Sequence, residues 1–198
     1  MNKIRINIEG NIGSGKTTLA NALFKEFKAD ELILEEFENN PYLPLLYRNE
    51  DVGFQTEMFF LVSRYKQYNS MSESSLIISD YDMIKNKIFS NITIKNEIEK
   101  LKFYKIYDIL TENLEKSDLI IYIDTSVETV VKRIKSRKRE FENKIDIEYL
   151  KKVDEAYKKT FKKIKNCIIL DGDKFDVFNN EDFERLIKII EVKIDEKK

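Results

Sequence analysis

A chain of 198 residues is long enough to bury one continuous core, and residues 1–198 read as a single domain with no linker, repeat or low-complexity segment. Its 35 basic and 36 acidic side chains nearly cancel, which excludes a global field that would draw it to a polynucleotide or an anionic membrane; recognition of any anion must be local. Histidine is absent, which excludes imidazole acid–base catalysis and most zinc sites, and the one cysteine, Cys167, cannot close an internal disulfide.

Five short apolar runs recur along the chain: IRINIEG (4–10), LILEE (32–36), LIISD (76–80), LIIYID (119–124) and CIILD (167–171). Most do not alternate, which predicts strands buried on both faces, and Cys167 reads as a buried thiol inside the last of them. Helical spacing lies between the runs: LANALFKEF follows the first, Phe103, Tyr107, Leu110 and Leu114 share one face, and Leu150, Val153, Tyr157 and Phe161 share another. Pro41 and Pro44 punctuate the connection after the second run, and the tail VKIDEKK is expected to fray. Strands alternating with helices predict an α/β three-layer sandwich around a five-stranded parallel sheet. Sites in such folds lie at the carboxyl ends of the strands, where many of these runs carry an acidic residue. Apolar patterning begins at Ile4 and no apolar run approaches the roughly 18 residues that span a bilayer, so a soluble, cytoplasmic protein is expected.

The first connection, GNIGSGKTT, carries three of the five glycines and fits G-x-x-x-x-G-K-[ST] between a strand and a helix. Such a loop turns its N–H groups onto phosphate, so Gly10, Asn11, Ile12, Gly13, Ser14, Gly15, Lys16, Thr17 and Thr18 are predicted to hold ATP in a P-loop NTPase-type fold. Lys16 would reach the β- and γ-phosphates and the Thr17 hydroxyl would ligate Mg²⁺. Asp80 ends a run of the hydrophobic-then-Asp kind and is assigned to the same metal, whereas Asp124 is read as a cap on a helix beginning near Val127. The densest positive cluster, KRIKSRKREFE (132–142), offers Arg133 and Arg137 on one helical face, with Arg139 beyond. A solvated helix end or a nucleic-acid patch would also explain it, but the acidic residues that follow would repel a polynucleotide. A mobile arginine lid at about 133–145, stabilising the charge of a migrating phosphoryl group, fits better.

With these motifs in place the chain resembles the deoxynucleoside kinases over most of its length. IEGNIGSGKTTL resembles their P-loop, ILEEFENNPYLPLLY their Glu-containing segment, FQTEMFFLVSR their substrate-binding helix, and YIDTSVETVVKRIKSRKREFENKIDIEYLKKVDEAY their arginine lid and the helix beyond it. The resemblance implies that Glu35, or its neighbour Glu36, is the general base on a sugar 5′-hydroxyl. It implies that Tyr47 and Glu142 bind the 3′-hydroxyl, that Arg133, Arg137 and Arg139 contact the donor phosphates, and that Asp173 and Phe175 in DGDKF pack near the donor adenine.

Two departures from the family pattern stand out. Many members end the third strand in Glu-Arg-Ser, but this chain has SDYDMIKNKIF, with Asp80 and Tyr81 there and Lys85 as the candidate replacement for the arginine. The Asp-Tyr pair resembles the bacterial deoxyguanosine/deoxyadenosine kinase branch. In the substrate helix a Gln and an Arg usually stand seven apart, whereas Gln55 is nine before Arg64 and Glu57 is seven before it. Either Gln55 or Glu57 reads the base with Arg64, which leaves the nucleobase open, with a purine favoured by the branch resemblance alone. The family pairs its matching helices in a homodimer, and the apolar excess at 54–68 and 98–114 suits that.

The expected activity is transfer of the γ-phosphoryl of ATP-Mg²⁺ to the 5′-hydroxyl of a deoxyribonucleoside in nucleotide salvage. The alternatives are a nucleoside monophosphate kinase of the thymidylate kinase type and a non-kinase P-loop ATPase. The first needs positive charge for an acceptor phosphate, and Arg48 is the one basic residue between Glu35 and Glu57.

Overall fold

The computed structural model describes residues 3–70, 75–137, 139, 142 and 145–196. In chain order the elements are β1 (Ile4–Gly10), α1 (Lys16–Glu26), β2 (Glu31–Ile33), a 3₁₀ turn (Phe37–Asn39), α2 (Leu43–Leu46), α3 (Gly53–Asn69) and β3 (Leu76–Ser79). There follow α4 (Ile84–Thr93), α5 (Glu97–Thr111), β4 (Leu119–Asp124), α6 (Val127–Arg137), α7 (Ile147–Phe161), β5 (Cys167–Asp171) and α8 (Asn180–Asp195). The strands form one parallel sheet in the order β2-β3-β1-β4-β5, as the five apolar runs predict. Because β1 has β3 on one side and β4 on the other, the chain reverses its direction of travel across the sheet there, and a crevice opens above the carboxyl ends of β1 and β3.

The three layers follow from side-chain alternation. On β1, Ile6 and Ile8 point to the face covered by α1 and α8, joining Leu19, Leu23, Leu186 and Ile190 in one core cluster. The opposite face is divided between a cluster from α3 and α5 around Leu61, Tyr81 and Phe103 and another from α4 and α7 around Phe89, Tyr157 and Phe161. The predicted faces hold: Leu150, Val153, Tyr157 and Phe161 are the buried residues of α7, and Phe103 and Tyr107 those of α5. Leu110 and Leu114 pack partly buried against the same cluster, Leu114 from beyond the end of α5.

β1 departs from the apolar rule. Its second face presents Arg5, Asn7 and Glu9 to the interior, all buried, and such groups must be paired there. The Arg5 guanidinium lies 4.0 Å above the Tyr68 ring. Asn7 donates to the Tyr68 hydroxyl at 2.8 Å and to Asp82 at 2.7 Å, and Glu9 accepts from the Tyr157 hydroxyl at 2.8 Å and the Asp82 N–H at 2.6 Å. This network ties β1 to the segment after β3.

Four expectations need correction. β2 stops at Ile33, so Glu35 stands two residues past the strand rather than at its end. The edge strand β5 leaves Ile169 exposed, and Cys167 is half-buried at the margin of the cluster from α4 and α7; burial pushes the Cys167 thiol up to about 11. The expected fraying does not begin at Val192, because α8 continues through Asp195 with Ile190 buried beneath it; Lys197 and Lys198 lie outside the described residues. Asp124 does not cap α6: the Ser126 hydroxyl accepts from the Thr129 N–H at 3.3 Å, while Asp124 lies 3.6 Å from Lys158.

Candidate active site

The phosphate loop follows from two glycines. Gly10 has φ 155°, and a Cβ there would sit 2.6 Å from Ser14 Oγ and 2.8 Å from the Ile123 carbonyl. Gly15 takes φ 103° at the start of α1, a left-handed conformation that favours glycine. No side chain caps α1 and no acidic residue lies in its first turn, so its N–H groups remain for an anion. Lys16 is folded back on the loop, donating to the carbonyls of Gly10 at 3.0 Å and Asn11 at 2.8 Å. Burial, with the charge of Lys85, pulls its amine down to about 8. Asn11 accepts from the Ile12 N–H and donates to the Leu150 carbonyl, fixing the loop to α7.

Thr17, the second residue of α1, donates its hydroxyl to Asp80 Oδ2 at 2.6 Å across the β1–β3 crevice. The other oxygen of Asp80 accepts the Glu35 N–H at 2.8 Å, so the segment after β2 is hung from the segment after β3. Burial and then the charge of Glu35 raise the Asp80 carboxyl. A hydroxyl and a carboxylate side by side are hard oxygen donors of the kind Mg²⁺ takes, and two protein oxygens suffice for an ion held mostly by nucleotide phosphates and water.

Beside this pair lies a cleft, part of it open to solvent, walled by charged side chains from four helices and by the aromatic rings of Phe37, Tyr47, Phe60, Phe89 and Tyr149. Glu35 is at its centre. Its Oε1 accepts from Arg64 through Nε at 3.1 Å and through Nη2, and its Oε2 accepts from Lys85 Nζ at 2.7 Å. Burial alone would raise the Glu35 carboxyl, but Lys85 and Arg64 outweigh it and hold the group well below the usual carboxylate range. Lys85 thus stands against Glu35 in a chain that lacks the arginine expected after β3, while Glu36 faces outward, accepting from the Ser63 hydroxyl. Tyr47, at the end of α2, lines the cleft edge-on to Tyr149 at 6.2 Å; burial and then the charges of Glu142 and Glu35 push its phenol far above the ordinary value.

The arginine cluster divides. Arg137, the last residue of α6, grips Glu142 with two bonds of 2.6 Å, and Arg139 reaches the same carboxylate at 3.4 Å while lying 4.3 Å above the Phe37 ring. Both line the cleft. Arg133 does not: it donates to the carbonyls of Ser14 at 2.9 Å and Gly172 at 2.9 Å, strapping the phosphate loop to the turn after β5. That strap borders a second groove on the far side of the loop, with Thr18 and Phe175 among its walls. Lys138, Glu140, Phe141, Asn143 and Lys144 of the expected lid lie outside the described residues.

Besides Arg133, two predicted contacts are not brought together with the rest. Gln55 is exposed and does not line the cleft, because nine residues carry it to the side of α3 away from Arg64; Glu57 is the residue that faces in. Asp173 accepts from the Ser126 N–H at 3.3 Å and hydroxyl at 3.1 Å, steadying the start of α6 rather than entering either groove. Sequence reasoning missed Thr93, whose hydroxyl donates to Glu57 at 3.0 Å, and Glu9, raised to about 7 by burial. The polar alternation of IRINIEG was the available signal for Glu9; Thr93, distant in sequence, left none.

Comparison with known proteins agrees with this geometry. The family model described as deoxynucleoside kinase matches residues 6–195. A deoxyguanosine kinase of Bacillus subtilis is 42% identical over 195 residues, spanning 91% of this chain and 93% of that protein. A deoxyadenosine kinase of Lactobacillus acidophilus is 28% identical, spanning 96% of each. In fold, the chain matches a deoxyadenosine kinase from M. mycoides with bound dATP at TM-score 0.83 and 22% identity, covering 95% of this chain and 99% of that one. The phosphate loop, the cleft beside it and a family match from residue 6 to residue 195 lead to one assignment: the chain belongs to the deoxynucleoside kinase family.

Proposed function

We propose that this single kinase domain moves the γ-phosphoryl of ATP, as its Mg²⁺ complex, to the 5′-hydroxyl of a purine deoxyribonucleoside. The carrying observation is that Glu35 hangs from Asp80, which is itself bonded to Thr17 of the phosphate loop. The carboxylate that receives the hydroxyl proton is thereby set beside the phosphate that the oxygen attacks. In the productive state Lys16 leaves the Gly10 and Asn11 carbonyls for the donor phosphates, and Arg137 and Arg139 follow from Glu142. Asn11, Ile12, Gly13, Ser14, Thr17 and Thr18 complete the phosphate cradle, with Phe175 beside the adenine. Thr17 and Asp80 hold the metal, which supplies charge neutralisation at the phosphates.

Tyr47 and the Glu142 carboxylate bind the sugar 3′-hydroxyl, with Glu57, Arg64 and Lys85 closing the base and sugar end. The depressed Glu35 carboxyl is a weak base, which suits a loose transition state in which the attacking hydroxyl loses its proton late. Catalysis then rests on positioning and charge. The near-zero net charge and the absence, among the described residues, of any helix long and apolar enough to cross a membrane suit a cytoplasmic salvage enzyme without polynucleotide or membrane partners. Exposed Val62 on α3 and Ile98, Leu101 and Ile109 on α5 suit a homodimer through those two helices.

The deciding experiment measures ATP-dependent phosphorylation of deoxyadenosine, deoxyguanosine, deoxycytidine, thymidine and the matching monophosphates, with a no-acceptor control. Product from purine nucleosides and none from monophosphates is expected. ATP loss in the control alone, or turnover of a monophosphate alone, would overturn the reading.

A further inference from the structure

Asp80 and Tyr81 stand side by side after β3, both buried, and their side chains reach the same stretch of backbone by different routes. Asp80 Oδ1 accepts the Glu35 N–H at 2.8 Å. Tyr81 donates its hydroxyl to Gln67 Oε1 at 2.6 Å, and Gln67, in the last turn of α3, donates through Nε2 to the Leu34 carbonyl at 3.1 Å. The Leu34 carbonyl and the Glu35 N–H are the two ends of one peptide unit, which is planar and turns as a body. Its rotation is checked at both ends, and it is the unit that carries the Glu35 Cα.

The polarity of this relay has one solution. A carbonyl only accepts, so Gln67 turns its N–H₂ to Leu34, which leaves Oε1 for Tyr81 and obliges the phenol to donate. The Tyr81 ring is fully buried, 5.9 Å from the Tyr68 ring and with the Arg64 guanidinium 5.5 Å above it. Its backbone is pinned as well, since the Ser79 hydroxyl donates to the Tyr81 carbonyl at 2.8 Å and accepts its N–H at 3.3 Å. The hydroxyl therefore meets Gln67 from a fixed position. Gln67 lies three residues past Arg64, so the helix whose guanidinium grips the Glu35 carboxylate also holds the backbone in front of it.

We propose that Tyr81 and Gln67 are positioning residues for phosphoryl transfer: they orient the Leu34–Glu35 peptide and so aim the Glu35 carboxylate at the substrate hydroxyl. This rests on the proposed role of Glu35 as general base and gives the Asp80-Tyr81 pair a joint task. Neither Tyr81 nor Gln67 lines the cleft, so both act through Glu35 and not on the substrate. Loss of the relay leaves Arg64 and Lys85 on the carboxylate, and the base is kept but its aim is loosened.

The test is steady-state kinetics, with ATP and the better of deoxyguanosine and deoxyadenosine, on Tyr81→Phe, Gln67→Leu and the double variant, together with amide hydrogen exchange at Glu35. Each single substitution should lower kcat about tenfold and change the nucleoside and ATP KM values by less than about twofold, because a misaimed base slows the chemical step without removing a binding contact. The double variant should be no slower than the slower single, since either change breaks the same relay, and in a Glu35→Gln background Tyr81→Phe should cost under about twofold. Exchange of the Glu35 N–H should speed up about tenfold in both single variants. A lower melting temperature with kcat unchanged, losses that multiply in the double variant, or a Tyr81→Phe loss undiminished without Glu35 overturns the proposal. Should Tyr81→Phe fail to fold, Gln67→Leu, at a half-buried position on α3, decides alone and in the Glu35→Gln background. Near-normal turnover of Glu35→Gln by itself defeats the base reading; faster Glu35 exchange in the variants would then still sustain the relay as what orients that peptide, and unchanged exchange overturns the relay whatever the kinetics.

Discussion

Of the carboxylates that face the cleft, Glu35 and Glu142 are each gripped by two cations, and they differ in what they are built on. Glu35 is held by Arg64 and Lys85, whose side chains are 3% and 6% exposed and project from the packed helices α3 and α4. Glu142 is held by Arg137 and Arg139, whose side chains are 32% and 37% exposed, at and beyond the end of α6. A dry clamp on packed helices fixes a geometry, and its members cannot leave without stranding a charge. Arginines a third exposed at a helix end can exchange one anion for another, provided that the Glu142 carboxylate they leave, 4% exposed, finds a new partner. The first arrangement suits a group that must stay in place during reaction; the second suits groups that move from carboxylate to phosphate.

The largest expected effect breaks the first clamp at its centre. Glu35→Gln should lower kcat by about 10³-fold with a smaller change in the nucleoside KM, since a general base contributes 10² to 10⁴. Near-normal turnover in a variant that still binds nucleoside would remove Glu35 from the chemistry. Next, the clamps should separate in stability: Arg64→Met leaves Glu35 to Lys85 alone and should cost about 3 kcal/mol, whereas Arg137→Met removes a partner that is 32% exposed, leaves Glu142 to Arg139 and should cost less, while lowering kcat about 10²-fold. Denaturant melts and steady-state kinetics on the same two variants would show whether the division holds.

Smaller shifts sharpen the contrast. Lys85→Gln removes the larger of the two charges that hold the Glu35 carboxyl down, so the acid limb of the pH–rate profile should move up. An unmoved limb would mean that it reports another group. The smallest effect concerns wild-type stability. Glu9 and Glu57 are both raised to about 7 by burial, so between pH 4.5 and 7 the folded state binds protons that the unfolded chain has released, and stability falls as pH rises through that window. Glu35, depressed, contributes stability that is lost only as pH falls below about 4.5. The melting temperature should therefore be about 5 °C higher at pH 5 than at pH 7.5, and Glu57→Gln should flatten that slope.

What the sequence disclosed has a physical boundary. The sheet and the phosphate loop are written in local pattern: five apolar runs, and glycines whose backbone angles few other residues adopt. Glu35, Lys85 and Arg64 could be named one at a time, but their convergence depends on α3 and α4 packing together, which no spacing encodes. Gln55 was open to misassignment because the residue type expected there lies two positions from the face that meets the cleft. Arg133 fits the arginine spacing of a lid yet binds two carbonyls, since a guanidinium near a phosphate loop can serve the backbone as readily as the ligand.

That last contact reaches beyond its own bonds. By joining Ser14 to Gly172, Arg133 makes the loop that takes phosphates and the turn leading to Phe175 one rigid piece. With the donor placed as proposed, its adenine beside Phe175, the span from triphosphate to nucleobase would be set by the protein and not by the nucleotide. The fold would then carry a ruler for its donor, and Arg133→Ala should blur that ruler before it weakens the grip on phosphate.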